Sequence, residues 1–220
     1  DVMLMIVAVI AAASCMQAAG GLDLMVKWAE KILRKNPHHI TLLSPFVTYF
    51  FTFFAGTGHV AYSVLPVIAE VAKDTGIRPE RPLGIAVIAS QQAITASPIS
   101  AATVAMLSML AGYNISLFDI LKISIPCTLT GVFLGALYSM KVGKELKDDP
   151  EYQRRLAAGE ISGDGYHTTE VASHGKALTS VILFLAATIG IVLFGSIDGL
   201  RPTFTTAQGE VQMEMSHIIE

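Results

Sequence analysis

Charge is scarce in this sequence. Only 15% of its 220 residues are Asp, Glu, Lys or Arg, against roughly 25% in an ordinary soluble domain. With a mean hydropathy of +0.56, that excludes a lone soluble domain. A basic stripe is also lacking: the net charge is -3 and the 15 Lys and Arg sit almost entirely between apolar stretches, which excludes nucleic acid as a partner. Cysteine is nearly absent. Cys15 and Cys127 each lie inside an apolar run with no second Cys or His at ligand spacing, so both read as small buried hydrophobes and neither a disulfide nor a metal site is expected. No G-x-S-x-G, H-E-x-x-H or P-loop occurs, so neither an intramembrane protease, a nucleotide-driven pump nor a cofactor enzyme is expected.

What the chain has instead is long uncharged runs: Val2 to Leu22, Asn36 to Ala69, Leu83 to Phe118, Ile123 to Met140 and Ala177 to Ile197. Runs of about 18 or more such residues read as membrane spans. The expected fold is an all-α polytopic membrane protein with the lipid bilayer as its solvent. The first run is no signal peptide, because Asp1 precedes it, a basic n-region is missing, and it is long enough to span. Opening on Asp1 and closing on a polar tail, the chain reads as a fragment of something larger.

The gaps give orientation. Asp23 to Lys35 places Leu24, Trp28, Ile32 and Lys35 on one face, which predicts an amphipathic helix lying at the membrane interface. Lys and Arg number four in that gap, three between Glu70 and Pro82, and six between Lys141 and Lys176. A positive bias of this kind puts all three gaps on the cytoplasmic side. The run from Asn36 to Ala69 must then leave and return on the same face.

Its length says how. Ala55-Gly56-Thr57-Gly58-His59 interrupts it, leaving arms Thr41 to Phe54 and Val60 to Val71. At 1.5 Å per residue these are roughly 21 and 18 Å, against a hydrocarbon core of about 30 Å. A re-entrant helical hairpin with its Gly-Thr-Gly tip near mid-membrane is the economical reading; two short tilted spans joined by an outer turn is the other. Leu83 to Ala111 has the opposite problem, since as one helix it would be about 43 Å long. It should break at Thr95-Ala96-Ser97-Pro98-Ile99-Ser100, because Pro98 has no amide to donate and disfavours helix at Ser97. Ser97 as N-cap and Pro98 at the first helical position predict the start of a second half-helix. The expected layout is a membrane unit over 1–140 (spans about 2–22 and 120–140, hairpin 41–71, broken helix 83–111), then a cytoplasmic loop 141–176 helical at most around Pro150 to Ala158. A span 177–197 and a periplasmic connector 198–220 leading into an absent second half complete it.

Irregular backbone at membrane depth survives only where protein or an aqueous cavity satisfies it. A broken helix beside a hairpin tip is therefore a candidate site. A helix start there offers free N–H groups and a positive dipole end, which hold carboxylates or phosphates without a lysine. The neutral polar side chains Thr57, Gln91, Gln92, Thr95, Ser97 and Ser100 supply further donors, and Gln91 and Thr95 share a helix face. A simple Ser-Pro kink and Gly-x-Gly helix packing are the alternatives. His59 follows the tip and could bond a carboxylate or a backbone carbonyl. The aromatic group Phe46, Tyr49, Phe50, Phe51, Phe53 and Phe54 reads as packing or lipid-facing surface.

Three stretches carry a resemblance: QAAGGLDLMVKWAEKILRKNPHHITLLSPFVTYFFTFFAGTGHVAYSVLPVIAEVAKDTGIRPERPL, SQQAITASPISAATVAML and KDDPEYQRRL. Together they resemble the amino-terminal half of the Dcu family, anaerobic C4-dicarboxylate transporters of bacterial inner membranes, with GTGHVAYSVLP and GIRPERP closest to the B-type member. The resemblance implies a chain about twice this length built from inverted repeats, and exchange of fumarate, malate or aspartate inward for succinate outward. It carries over Gly56, Thr57, Gly58 and His59 at the tip and Gln91, Thr95, Ser97, Pro98 and Ser100 at the break as substrate-binding positions. A coupling ion, Na or H, and a membrane sensor kinase are the further partners it implies. A co-sensor role through the loop Lys141 to Lys176, and a carrier of another small anion such as citrate or sulfate, stand beside the dicarboxylate reading.

Overall fold

A computed structural model describes residues 2–113, 115–159, 174–196, 203–206 and 209–212. In chain order its helices are α1 (Val2–Ala18), α2 (Gly21–Lys35), α3 (Ile40–Ala55), α4 (His59–Asp74), α5 (Glu80–Ala96), α6 (Ala101–Met109), α7 (Leu117–Ser139), α8 (Pro150–Ala157) and α9 (His174–Ser196). A two-stranded antiparallel hairpin, β1 (Thr203–Thr206) with β2 (Gly209–Gln212), follows. It is the one described non-helical element, and it lies in the stretch expected as a connector.

The centre of the bundle is α3 against α5. Ser44 Oγ donates to the Pro82 carbonyl at 3.1 Å and Thr48 Oγ1 to the Ala86 carbonyl at 3.0 Å. The two pairs advance together along the chain, so the helices run parallel. Both facing stripes are small: Ser44, Thr48, Thr52 and Ala55 on α3 meet Ala86, Ala89, Ala93 and Ala96 on α5, all buried. Small residues let backbones approach closely where lipid supplies no hydrophobic drive, and a hydroxyl can then reach a carbonyl across the gap. On one side α7 closes the pair. Tyr49 Oη and Thr128 Oγ1 lie 2.8 Å apart, and a Cβ on Gly135 would stand 2.8 Å from Ile85 Cδ1, so α7 packs closely on α5 there.

On the other side α4 returns from the tip and buries Val64, Val67, Ile68 and Val71 against Leu22, Met25, Ala29 and Leu33 of α2, with Ala177 and Val181 of α9 in the same core. On the face expected to carry Leu24, Trp28, Ile32 and Lys35, Leu24 is buried while Trp28 and Ile32 point outward at 38% and 44% exposure. Ala29 lets α4 come close, so the small residues mark the packed face and the large ones the outer face. α2 packs lengthwise along α4 instead of standing apart as a surface helix.

The first run also departs from expectation. α1 stops at Ala18, Gly20 takes a left-handed φ of 81°, and Leu22 already belongs to α2. Its 17 residues make about 26 Å. Two helices among the described residues are long and apolar enough to cross a membrane, α7 and the stretch Gly175–Leu193 of α9. Cys15 and Cys127, expected to be buried, are exposed. An apolar sequence context does not distinguish a core face from an outward apolar face, and both cysteines fall on the latter.

The end of α2, the α4–α5 connection and the segment after α7 meet at one end of the bundle through arginines. Arg34 pairs with Glu30 at 2.8 Å and with Glu70 at 2.9 Å, tying α2 to α4. Arg81, its side chain only 9% exposed, donates to the Val142 carbonyl at 2.5 Å, the Gly143 carbonyl at 2.7 Å and Glu145 at 2.7 Å. Arg78 pairs with Glu80 and, at 2.7 Å, with Asp149. Asp149 also caps α8 by accepting from the Glu151 and Tyr152 amides, with Pro150 at the first helical position, within the stretch expected to be helical. The Tyr152 amide first, then the Glu151 amide and the Arg78 guanidinium, hold the Asp149 carboxyl below the usual carboxylate range.

Candidate functional site

At the opposite end of α3 the chain reverses through Gly56-Thr57-Gly58. The Gly56 amide donates to the Thr52 carbonyl at 2.9 Å and ends α3, with Gly56 at φ 68°, a left-handed conformation that a side chain strains. Thr57 Oγ1 accepts from the His59 amide at 3.2 Å, while Gly58, the N-cap of α4, has no side-chain cap bond. The break is built from Ser97 to Ser100. Ser97 is extended, as a residue before proline tends to be, at φ -73° and ψ 130°.

α6 does not begin at Ser97, as expected, but three residues later. Ser100 is the N-cap, its Oγ accepting from the Thr103 amide at 3.2 Å. The reason is competition for the first hydroxyl: Ser97 Oγ donates to the Phe53 carbonyl at 2.6 Å, so it ties the break to the end of α3 and is not free to cap. Ser97, Pro98 and Ser100 are buried, and the two hydroxyls are committed inside the protein. They act as struts.

Tip and break meet. A Cβ on Gly56 would stand 2.8 Å from Ile99 Cγ1 and 3.1 Å from the Ile99 carbonyl oxygen, and one on Gly58 would stand 3.4 Å from Gln91 Nε2. The nine expected positions thus divide into three groups. Gly56, Thr57 and His59 line a cleft of about 290 Å³. Gly58 lies against Gln91, which with Thr95 is exposed on one face of α5, while Ser97, Pro98 and Ser100 form the buried connection.

The cleft has two polar residues that sequence reasoning missed, Ser14 and Gln17 of α1. Their signal was available, since they are polar residues three apart in an uncharged run, but nothing in the sequence said that α1 passes the hairpin tip. Ala101 completes the wall. His59 is the first residue of α4 and Ala101 the first of α6, so two helix N-termini open onto one space. Among the described residues no Asp, Glu, Lys or Arg lines it. The electrostatic character is then set by positive dipole ends, amides and neutral side chains, a combination that favours an anion. Among the described residues no group of three or more His, Cys, Asp or Glu could hold a metal ion.

A helical bundle with outward-facing apolar helices and two helix starts on one cleft is consistent with the class of membrane transporters. The particular family follows from comparison. All 220 residues, 1–220, match the family described as anaerobic C4-dicarboxylate membrane transporter, and the chain belongs to it. That family comprises carriers and not enzymes, so the protein is membrane-embedded. The chain is 50% identical over 199 residues to the C4-dicarboxylate transporter DcuA of Escherichia coli K12, covering 90% of this chain and 46% of that protein. With DcuA of Wolinella succinogenes the identity is 48% over 196 residues, 89% of this chain and 45% of the relative. With the anaerobic C4-dicarboxylate transporter DcuB of Escherichia coli O6:H1 it is 40% over 213 residues, 93% and 48% respectively. The B-type wording of the motifs is not matched by overall identity, which is higher to these A-type relatives. The chain spans about half the length of the curated relatives it matches. No solved structure matches it.

Proposed function

We propose that this chain is one half of a secondary transporter that exchanges C4-dicarboxylates across the bacterial inner membrane, fumarate, malate or aspartate inward against succinate outward. The observation that carries the reading is the pair of helix N-termini, at His59 and Ala101, opening onto one uncharged cleft. One substrate carboxylate would sit there among amides, Thr57, Ser14 and Gln17, and the second would find an equivalent place in the other half of an inverted repeat.

The α3–α4 hairpin is re-entrant in this reading. Its tip stops at the level of the α5–α6 break, while α6 runs nine residues further, about 14 Å, and α7, with 23 residues, reaches about 35 Å. The end held by Arg34, Arg78 and Arg81 faces the cytoplasm in this reading, as the positive bias of the three gaps suggests. A coupling ion, Na or H, belongs to the same proposal. The partner role belongs to the loop Lys141 to Lys176, of which residues 160–173 lie outside the described residues.

The test is counterflow in proteoliposomes holding the complete gene product, preloaded with succinate and given labelled fumarate outside. Accumulation that requires internal succinate is the expected result. Uptake in neither loaded nor empty vesicles would overturn the exchange reading and turn attention to a co-sensor role; competition by citrate or sulfate stronger than by malate would reassign the anion.

A further inference from the structure

A second feature lies on the other side of the hairpin, away from the cleft. Trp28, Lys31 and Ile32 of α2 and Leu43, Phe46, Val47, Phe50 and Phe51 of α3 form a groove of about 480 Å³. Its walls are apolar throughout apart from Lys31, and Phe50 is 55% exposed in it. Lys27 and Lys35 stand one turn before and one turn after Lys31, so the three lysines share one stripe of α2.

The neighbouring charges do not neutralise that stripe. Glu30 is taken by Arg34, and Glu70 and Asp74 are taken by Arg34 as well. Among the described residues no carboxylate lies within ion-pair distance of Lys27, Lys31 or Lys35. Asp23, one turn before Lys27, is the acidic residue of the same stripe. A membrane protein thus carries an apolar trough with ammonium groups along one rim that pair with no described carboxylate, and a tryptophan, which favours the boundary between acyl chains and headgroups.

We infer that this groove binds an anionic phospholipid, with one acyl chain along Phe46, Phe50 and Ile32 and the phosphate against Lys31 and its two neighbours. Charge complementarity selects this occupant. A protein segment laid in the groove would have to desolvate the lysines or bring its own carboxylates, whereas a lipid phosphate meets them at the headgroup level where long lysine side chains reach naturally. A zwitterionic lipid fills the trough equally well but gains nothing from the rim. The inference needs only membrane embedding and is independent of what the cleft carries.

Trp28 is the one tryptophan of this chain, and it reports on its own groove. The experiment reconstitutes the complete gene product in vesicles containing phosphatidylglycerol or phosphatidylcholine with brominated acyl chains. The fluorescence of Trp28 is isolated by subtracting that of Trp28→Phe. Brominated phosphatidylglycerol should quench at a lower mole fraction than brominated phosphatidylcholine, by roughly fivefold for each lysine engaged. Lys27→Gln, Lys31→Gln and Lys35→Gln combined should remove the preference, and the corresponding Lys→Arg variant should keep it, which guards against a folding defect. Equal quenching by both lipids would overturn the inference, as would a preference unchanged in the glutamine variant. Absence of quenching by either lipid would overturn it too, because the groove would then be covered by protein.

Discussion

The two ends of the α3–α4 hairpin solve one problem in opposite ways. Both must satisfy helix ends and join neighbouring segments. At the basic end, Arg34, Arg78 and Arg81 do it with long side chains and carboxylates, and water stands behind most of those bonds. At the tip the partners are backbone carbonyls, small hydroxyls and a glycine, with the break buried behind them. Charge tolerates displacement because a Coulomb attraction falls slowly with distance. A close backbone contact does not, so shape controls the tip and electrostatics controls the base.

The largest effect should therefore come from filling the tip. Gly56→Ala incurs the left-handed strain of about 1–2 kcal/mol plus the clash with Ile99, and it should both lower the melting temperature and abolish dicarboxylate counterflow. Gly76→Ala is its control at the basic end: φ is 71° but nothing lies within 4 Å of the added Cβ. Only the strain of about 1–2 kcal/mol applies there, and transport should persist. Equal losses at the two sites would break the contrast.

Next comes Arg81→Ala. It removes three hydrogen bonds from a side chain that is largely buried, and a bond to a charged group contributes about 1.5–3 kcal/mol. Hydrogen exchange should rise across 142–149 while the tip stays protected. Ser97→Ala is expected to be smaller, about 1 kcal/mol for one hydrogen bond, with a melting shift and little change in substrate affinity. Gln17→Ala should do the reverse, raising the half-saturating dicarboxylate concentration without a melting shift. If Ser97→Ala moved affinity alone, the strut assignment would fail.

The smallest effect is set by pH at the basic end. Glu151 is drawn down to about 2 by Arg154 first and then Arg155, and Asp149 is lowered by its cap bonds and Arg78. A carboxyl whose folded value is depressed stabilises the fold above its unfolded value and loses that contribution as pH falls through the folded one. Exchange protection of α8 should hold at neutral pH and decline from about 4.5 toward about 2, whereas the uncharged tip should show no change over that range.

Much of this was readable in the residues. Run lengths placed the reversal at Gly56 to Gly58 and the interruption after Ala96, because a helix has a fixed rise and proline a fixed deficit. The short helix around Pro150 to Ala158 was equally local. Ser97 was misread as a cap because its competing acceptor, the Phe53 carbonyl, is 44 positions away in the chain. That α2 also buries Ala29 and Leu33 against α4 was not legible, because periodicity weighs bulk while helices packed closely in a bundle bury alanine.

The sequence alone determined composition, helix spacing, the sites of reversal and the family likeness, all of which depend on neighbours within a few turns. Only the tertiary structure decided that α1 passes the hairpin tip, that Ser14 and Gln17 join Thr57 and His59, and that two helix N-termini open onto one cleft. Those facts depend on which helix packs on which, and in a chain of apolar helices with similar surfaces that choice rests on long-range fit between small stripes, which no local pattern encodes.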